Sequence, residues 1–297
     1  MNPIARVIRI GTRESALAVV QARLVADYLR HNCPGIQAEL VTMKTTGDKI
    51  LNKPLQAVGG KGLFVKELDK ALLEGRTDLS VHSLKDLPME LPQALPIIGY
   101  SRREDPRDAL VLPQGVSHWN GEGIVGCASP RRIAQLKRLY PKASTALIRG
   151  NVHTRLQKLD SGQYSATILA AAGLRRLGLE QRIYRYFSTE EMIPATGQGI
   201  LAVQGRQGED YSCLQGFFDA DAAACALAER TFVRVLDGGC SSPIAAYAEI
   251  QAGHMRLKGL FCHPDGSGYW TGEIEGPASH AQSLAQSLAQ RAKEEQK

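Results

Sequence analysis

The stretch GIVGCASPRRIAQLKRLYPKASTALIRGNVHTRLQKL, residues 123–159, decides the fold. It reads as a strand from Ile124 to Cys127 and a helix from Pro130 to Leu139, with Ser129 as cap and Pro130 at the first helical position. A strand from Thr145 to Ile148 and a helix from Val152 to Leu159 follow. Strand and helix alternate through short connections, which predicts a doubly wound α/β unit. The same stretch contains no Asp or Glu, yet carries Arg131, Arg132, Lys137, Arg138, Lys142, Arg149, Arg155 and Lys158. Such an uncompensated positive potential implies a polyanionic partner. Its one aromatic residue is Tyr140, whereas proteins that grip single-stranded nucleic acid interleave cations with stacking rings. Small molecules bearing several carboxylates or phosphates fit better, and a solvated basic face paired with acids from elsewhere is the structural alternative.

The alternation extends both ways. Upstream, Val7 to Ile10 reads as a strand and Ser15 to Tyr28 as a helix, Glu39 to Thr42 as a strand, Leu63 to Leu73 as a helix and Leu79 to His82 as a strand. Residues 46–61, rich in Gly and Lys, read as a mobile loop. After the Pro-rich connector Leu87 to Pro96 the pattern restarts with a strand at Ala109 to Leu112, and Ala166 to Ala170 closes the second unit. Leu201 to Gln204, past Gly197-Gln198-Gly199, predicts a strand returning to the first sheet, with a hinge between the two domains. From Asp219 the character changes to an Ala-rich helix, three β-like runs and a last helix, a small α+β domain. The expected organisation is therefore α/β: domain 1 over 1–99 with 200–218, domain 2 over 100–199 and domain 3 over 219–297.

At 297 residues, two or three domains are expected, and 43% hydrophobic with 22% charged residues is ordinary globular usage. No apolar run approaches the roughly 20 residues that span a bilayer. Arg6, Arg9, Arg13 and Glu14 interrupt the hydrophobic stretches near the start, so no secretory signal is read and cytoplasmic residence is the expectation. Cysteines 33, 127, 213, 225, 240 and 262 form no CxxC pair and no zinc-type cluster, which predicts neither structural disulfides nor metal.

In open α/β sheets ligands bind beyond the carboxyl ends of the strands. Those positions hold Thr12, Arg13 and Ser15; His82, Ser83, Lys85 and Asp86; Ser129, Arg131 and Arg132; and Arg149 with Arg155 a helical turn on. Together they suit anion recognition, and the helix start at Ser129-Pro130 adds free N–H groups. Asp86 is the carboxylate beside this cluster. It is either an ion-pair partner of Lys85 or an arginine, or a general acid/base and counter-ion for a cation formed in the reaction. His82 reads as a satisfied strand-end histidine. Cys240, in Leu236-Asp237-Gly238-Gly239-Cys240-Ser241-Ser242-Pro243, is held on a Gly-Gly turn, where a thiol can be a nucleophile, a redox sensor or an attachment point.

Seven ordered stretches carry a resemblance: Ile10-Gly11-Thr12-Arg13-Glu14-Ser15, Gly59-Gly60-Lys61-Gly62-Leu63-Phe64, Val81-His82-Ser83-Leu84-Lys85-Asp86-Leu87-Pro88, Asp105-Pro106-Arg107-Asp108-Ala109, Arg149-Gly150-Asn151-Val152-His153-Thr154-Arg155-Leu156, Gly197-Gln198-Gly199 and Gly238-Gly239-Cys240. Over essentially its whole length the chain resembles the porphobilinogen deaminase (hydroxymethylbilane synthase) family. The resemblance implies two domains like periplasmic binding proteins with the site in the cleft between them, and a third domain carrying a dipyrromethane cofactor in thioether linkage to Cys240. It implies a transferase that deaminates four porphobilinogen molecules, couples them head to tail onto this primer, and releases hydroxymethylbilane by hydrolysis for tetrapyrrole (haem, chlorophyll, corrin) biosynthesis. The product would pass to uroporphyrinogen-III synthase. A monomer, without nucleic acid, membrane or metal, is expected.

By the same resemblance Asp86 matches the catalytic aspartate. Arg13, Ser15, Lys85, Ser129, Arg131, Arg132, Arg149, Gly150 and Arg155 match residues that bind carboxylates of cofactor and substrate. Lys61, Phe64, Gln198 and Gly199 match loop and hinge positions. Each pyrrole bears an acetate and a propionate, so a primer extended by four rings presents about twelve carboxylates to the acid-free basic segment. Departures are Cys127, where the family commonly has Thr, Ala195-Thr196 where Ala-Pro is frequent, and Ala245-Ala246 without the glycine often found after Pro243-Ile244. The competing reading is a non-enzymatic polycarboxylate-binding protein of the periplasmic-receptor fold, which leaves Cys240 without a role.

Overall fold

Ile8, Ile10 and Thr12 are the buried face of strand β1 (Arg6–Arg13) in the computed structural model, which describes residues 6–49, 62–238, 242–263 and 265–295. Ser15 caps helix α1 (Ala16–Asn32), its Oγ accepting from Ala18 N at 3.4 Å. β2 (Ile36–Met43) runs parallel to β1 from Arg6 opposite Ile36 to Arg13 opposite Met43. A helical turn α2 (Thr46–Lys49), α3 (Lys66–Leu73), β3 (Leu79–Ser83), a 3-10 turn at Leu84–Asp86 and β4 (Ile97–Tyr100) follow. The α1 face of this sheet is apolar, with Val25, Ala26 and Leu29 of the helix against Ile8, Ile10, Leu79 and Val81.

The second sheet takes β5 (Asp108–Val111), β6 (Gly123–Gly126), β7 (Ala143–Ala146), β8 (Ala166–Ala170) and β9 (Ile183–Tyr186), with α4 (Pro130–Leu139), α5 (Val152–Lys158) and α6 (Ala171–Arg176) between them. β10 (Leu201–Gly205) then returns to the first sheet, as the sequence predicts. The strand orders are β2-β1-β3-β10-β4 and β7-β6-β8-β5-β9. Both have the same build: three parallel strands, one antiparallel strand, and a short edge strand whose pairing shifts register, at Val203/Gln204 in one and Leu110/Val111 in the other.

After α7 (Ala220–Val235), β11 (Ala245–Gln251), β12 (His254–Phe261) and β13 (Trp270–Pro277) form an antiparallel meander. α8 (Ala281–Glu294) buries Ala285, Leu288, Ala289 and Ala292. The described residues fall into two units, one of 6–103 and 200–223, the other of 104–199 and 224–295, which contains the second and third sheets. The fold is thus two mixed α/β sheets with a small α+β element at the C-terminal end. Among the described residues no helix is long and apolar enough to cross a membrane, and no group of three His, Cys, Asp or Glu is placed to hold a metal ion.

Three local expectations change. β7 lies at Ala143–Ala146 rather than Thr145 to Ile148, because its pairing with β6 aligns Ala143 with Gly123 and leaves Leu147 exposed past the strand. Leu63 belongs to a turn, and α3 starts at Lys66. Of the loop expected over 46–61, Thr46–Lys49 is a helical turn and residues 50–61 lie outside the described residues.

Candidate functional site

In the first unit, the carboxyl ends of β1 and β3 bring several of the expected residues together. Arg13, Gln21, Phe64, His82, Ser83 and Asp86 line one small pocket. Gln21 Nε2 donates to Ser83 Oγ at 2.8 Å, and the Phe64 ring covers the Arg13 guanidinium at 4.3 Å. Asp86 ends the 3-10 turn with its side chain exposed, and no ion pair joins it to a described residue. The ion-pair alternative for Asp86 is therefore not realised among the described residues. Ser15 spends its hydroxyl on the cap of α1, and Lys85 precedes Asp86 in the turn. His82 is fully desolvated, which outweighs the opposing contact with Gln204; with Arg13 also disfavouring a second charge, its pKa falls to about 4 and it stays neutral.

In the second unit the ends of β6 and β7 carry the basic residues. Arg149 is only 8% exposed, and burial alone pulls its pKa below the usual arginine range; among the described residues no carboxylate pairs with it. Gly150 has φ +119, and a Cβ there would lie 2.7 Å from the Cβ of Thr154, so only glycine makes this bend. Asn151 caps α5, accepting from Thr154 N at 2.9 Å. Arg155 Nε donates to Gly150 O at 2.9 Å and Lys158 Nζ to Arg149 O at 3.1 Å, so the bend carrying Arg149 is clamped by two cations of the same helix.

Arg131 and Arg132 are buried on one carboxylate. Asp108 receives Arg131 Nη1 at 2.7 Å and Arg132 Nη2 at 2.6 Å, with Gln198 Nε2 at 3.0 Å. Burial opposes charge on Asp108, but the two guanidiniums win and hold it far below the usual carboxylate range. The two guanidiniums are further held by carbonyls, Arg131 Nη1 donating to Ile193 O at 2.6 Å and Arg132 Nη1 to Ile168 O at 2.9 Å. Ser129 occupies the N-cap position and Pro130 follows it, yet the Ser129 hydroxyl makes no capping bond, contrary to the expectation for α4. Gln198 is wholly buried on Asp108 and Pro106 O, and Gly199 O accepts from Glu104 N and Arg176 Nη2.

Arg176 and Asp48 were not singled out by the sequence. Desolvation lowers the Arg176 pKa to about 10 despite nearby Glu104, and Asp48 pairs with Arg13. A basic pair ending an apolar stretch was the available signal for Arg176; Asp48 had none, because it lies in the turn α2 and its partner, distant in sequence, ends β1. Lys61 and Cys240 lie outside the described residues. Cys127 is buried, and desolvation raises its pKa.

Residues 8–213 match the family described as "Porphobilinogen deaminase, dipyromethane cofactor binding domain", and residues 223–294 match "Porphobilinogen deaminase, C-terminal domain". Porphobilinogen deaminase of Acetivibrio thermocellus is 52% identical over 282 residues, covering 95% of this chain and 96% of the relative. That of Ruminiclostridium josui is 57% identical over 256 residues, 86% of this chain and 87% of the relative. That of Chromobacterium violaceum is 45% identical over 288 residues, 96% and 93% of the two chains. With both family segments matched in order and relatives aligned nearly end to end, this chain belongs to the porphobilinogen deaminase family.

Proposed function

We propose that in this porphobilinogen deaminase Asp86 is the catalytic carboxylate, Cys240 carries the dipyrromethane, and the strand-end cations hold the carboxylates of cofactor and substrate. The observation that carries the reading is Arg149: a residue only 8% exposed, with no carboxylate partner among the described residues. An unpaired buried charge costs several kcal/mol, roughly, so it is kept where an anion comes to meet it. A ligand bearing an acetate and a propionate on every ring fits that requirement. Ser129, Arg149, Gly150 and Arg155 would hold the cofactor and growing product at the ends of β6 and β7, together with Arg131 and Arg132 at the start of α4. Arg13, Ser15 and Lys85 would receive carboxylates beside Asp86, with Phe64 bounding that side, while Gln198 and Gly199 anchor the chain where it turns back toward β10.

The dipyrromethane, when bound, supplies the unsubstituted ring carbon that attacks the incoming pyrrole. Asp86 acts on the substrate itself. Loss of ammonia from the aminomethyl group of porphobilinogen leaves a methylene-pyrrole cation spread onto the ring nitrogen, and a fixed carboxylate at that N–H stabilises it. The same carboxylate accepts the proton that the attacking carbon releases once the new bond has formed. His82, neutral beside Arg13, keeps a second positive charge away from the developing cation.

Replacing Arg149 by Leu tests the carboxylate reading. It is expected to lower kcat/KM for porphobilinogen by about 10- to 100-fold, the worth of one hydrogen-bonded charge contact, while the unfolding midpoint stays or rises because an unpaired buried charge is gone. Arg149→Lys should recover part of the loss, since a point charge lacks the two-pronged fork. Unchanged kinetics with lower stability would make Arg149 a structural residue instead.

A further inference from the structure

Asp48 has no part in that reading, yet it sits on the guanidinium the reading gives to a substrate carboxylate. Arg13 Nε donates to Asp48 Oδ2 at 3.2 Å, and Arg13 Nη2 donates to Oδ1. This is the two-pronged geometry with which arginine takes any carboxylate. The surrounding structure is built to present it. Thr45 donates to Asp48 Oδ2 through its N at 3.2 Å and its Oγ1 at 2.6 Å. Thr46 donates through N at 2.9 Å and Oγ1 at 2.6 Å to Glu67 Oε1 of α3, and Gly47 N donates to Leu63 O at 2.9 Å. A Cβ on Gly47 would lie 2.3 Å from the Phe64 ring, so α2 lies flush against Phe64, whose ring covers the other side of Arg13.

Burial would raise the Asp48 pKa, but hydrogen bonds from Arg13 and Thr45 outweigh it and hold the carboxyl below its usual range. Asp48 is thus an anion at neutral pH. The Arg13 and Asp48 side chains are 23% and 20% exposed, which leaves the pair within reach of a solute anion.

We propose that Asp48 is an internal stand-in for a substrate carboxylate: it competes with the acetate or propionate arm of the incoming pyrrole for the Arg13 fork, and its displacement loosens the turn Thr46–Lys49 from β1. The proposal rests on Arg13 being a carboxylate binder. One fork cannot give both prongs to two carboxylates at once, so affinity for the arm is reduced by the fraction of Arg13 that Asp48 holds. For a partly exposed pair that competition is worth about two- to fivefold. Specificity follows as well. A ligand with a weakly placed single carboxylate does not displace Asp48, whereas a pyrrole whose second arm is held elsewhere does.

The test is calorimetric titration of the cofactor-bearing protein with an unreactive pyrrole that has acetate and propionate arms and a methyl in place of the aminomethyl group. Asp48→Asn is expected to tighten binding about two- to fivefold. Thr45→Val, which loosens the grip on Asp48 without changing charge, should tighten it about twofold; Arg13→Leu should weaken it about tenfold or more. Amide exchange at Thr46 and Gly47 of the parent should speed up on saturation. Weakened binding in Arg13→Leu with no tightening in Thr45→Val, and no faster exchange, overturns the stand-in while leaving Arg13 a carboxylate binder. A gain in Asp48→Asn alone is a general field effect and overturns it equally. Unchanged binding in Arg13→Leu removes the carboxylate-binding role of Arg13 and this proposal with it. Should Asp48→Asn not fold, the Thr45→Val and exchange measurements decide.

Discussion

Asp86 and Asp108 are both carboxylates that follow or begin a strand close to basic residues of their own unit, and their surroundings are opposite. Asp108 is wholly buried and fixed by Arg131, Arg132 and Gln198, so its charge is spent on holding α4 to β5. Asp86 is exposed, and no described residue forms an ion pair with it, as the proposed part in the chemistry requires. Asp86→Asn keeps the shape and removes the charge. It is expected to reduce turnover by about 10²- to 10³-fold, as losing one preorganised electrostatic contact does, with the urea midpoint of unfolding little changed. Porphobilinogen consumption by the cofactor-bearing variant measures this, and near-normal consumption would take Asp86 out of the chemistry. The sequence singles out Asp86 because it stands alone among cations just after a strand. It also showed the cations around Ser129, but not that Arg131 and Arg132 are paired with Asp108, since that pairing comes from β5 closing against β8 rather than from spacing. Ser129 was legible as a helix start, and only the structure shows that its hydroxyl does not make the cap.

Helix α3 covers a polar layer on the first sheet, and two titrating groups there pull stability in opposite directions with pH. Ser80 of β3 faces Gln204 of β10, and Gln204 lies near both His82 and Asp69. Desolvation raises the Asp69 pKa from 3.8 to about 6 against the opposing effect of Gln204. Between those values the folded chain holds a proton that the unfolded chain has released, so this group's contribution to stability falls as pH rises through about 6. His82 runs the other way. Unfolded, it takes a proton below 6.5; folded, it takes one only near pH 4, so its contribution is present above 6.5 and is lost as pH falls toward about 4. Relative to the parent, Asp69→Asn is expected to make stability rise more steeply with pH between about 4 and 6, and His82→Gln to make it rise less steeply. Urea unfolding across that range checks both, and profiles parallel to the parent would contradict the assignments. None of this layer was visible in the sequence, where His82 reads as a satisfied strand-end residue and Asp69 is not singled out within the helix expected from Leu63 to Leu73. The elements themselves were largely legible wherever apolar residues repeat with a clear period, as in α4 and β8. β4 and β9 were missed because they are four-residue edge strands with irregular pairing, and their half-buried residues leave too short a pattern to read.

At the scale of the whole chain, the net charge of +6 understates the positive character of residues 123–159, where every charged residue is basic. The structure accounts for part of it internally: Arg131 and Arg132 on Asp108, and Lys142 on Glu122. Arg149 is left buried without a counter-ion among the described residues, which matches a ligand that adds two carboxylates with every ring. From the charge pattern such a ligand was legible only as a small molecule bearing several carboxylates or phosphates; the pyrrole chemistry came from the ordered motifs and the family they belong to. The central claim, a covalent two-ring primer on Cys240 that lengthens one pyrrole at a time, is tested most directly by intact-mass spectrometry of the purified active protein, with peptide mapping, before and after limiting porphobilinogen. The account predicts the chain mass plus two pyrrole units, located on the peptide containing Cys240, and discrete further steps of one pyrrole as substrate is added. An active protein at its unmodified mass, or an adduct on Cys127 or Cys262, would contradict it.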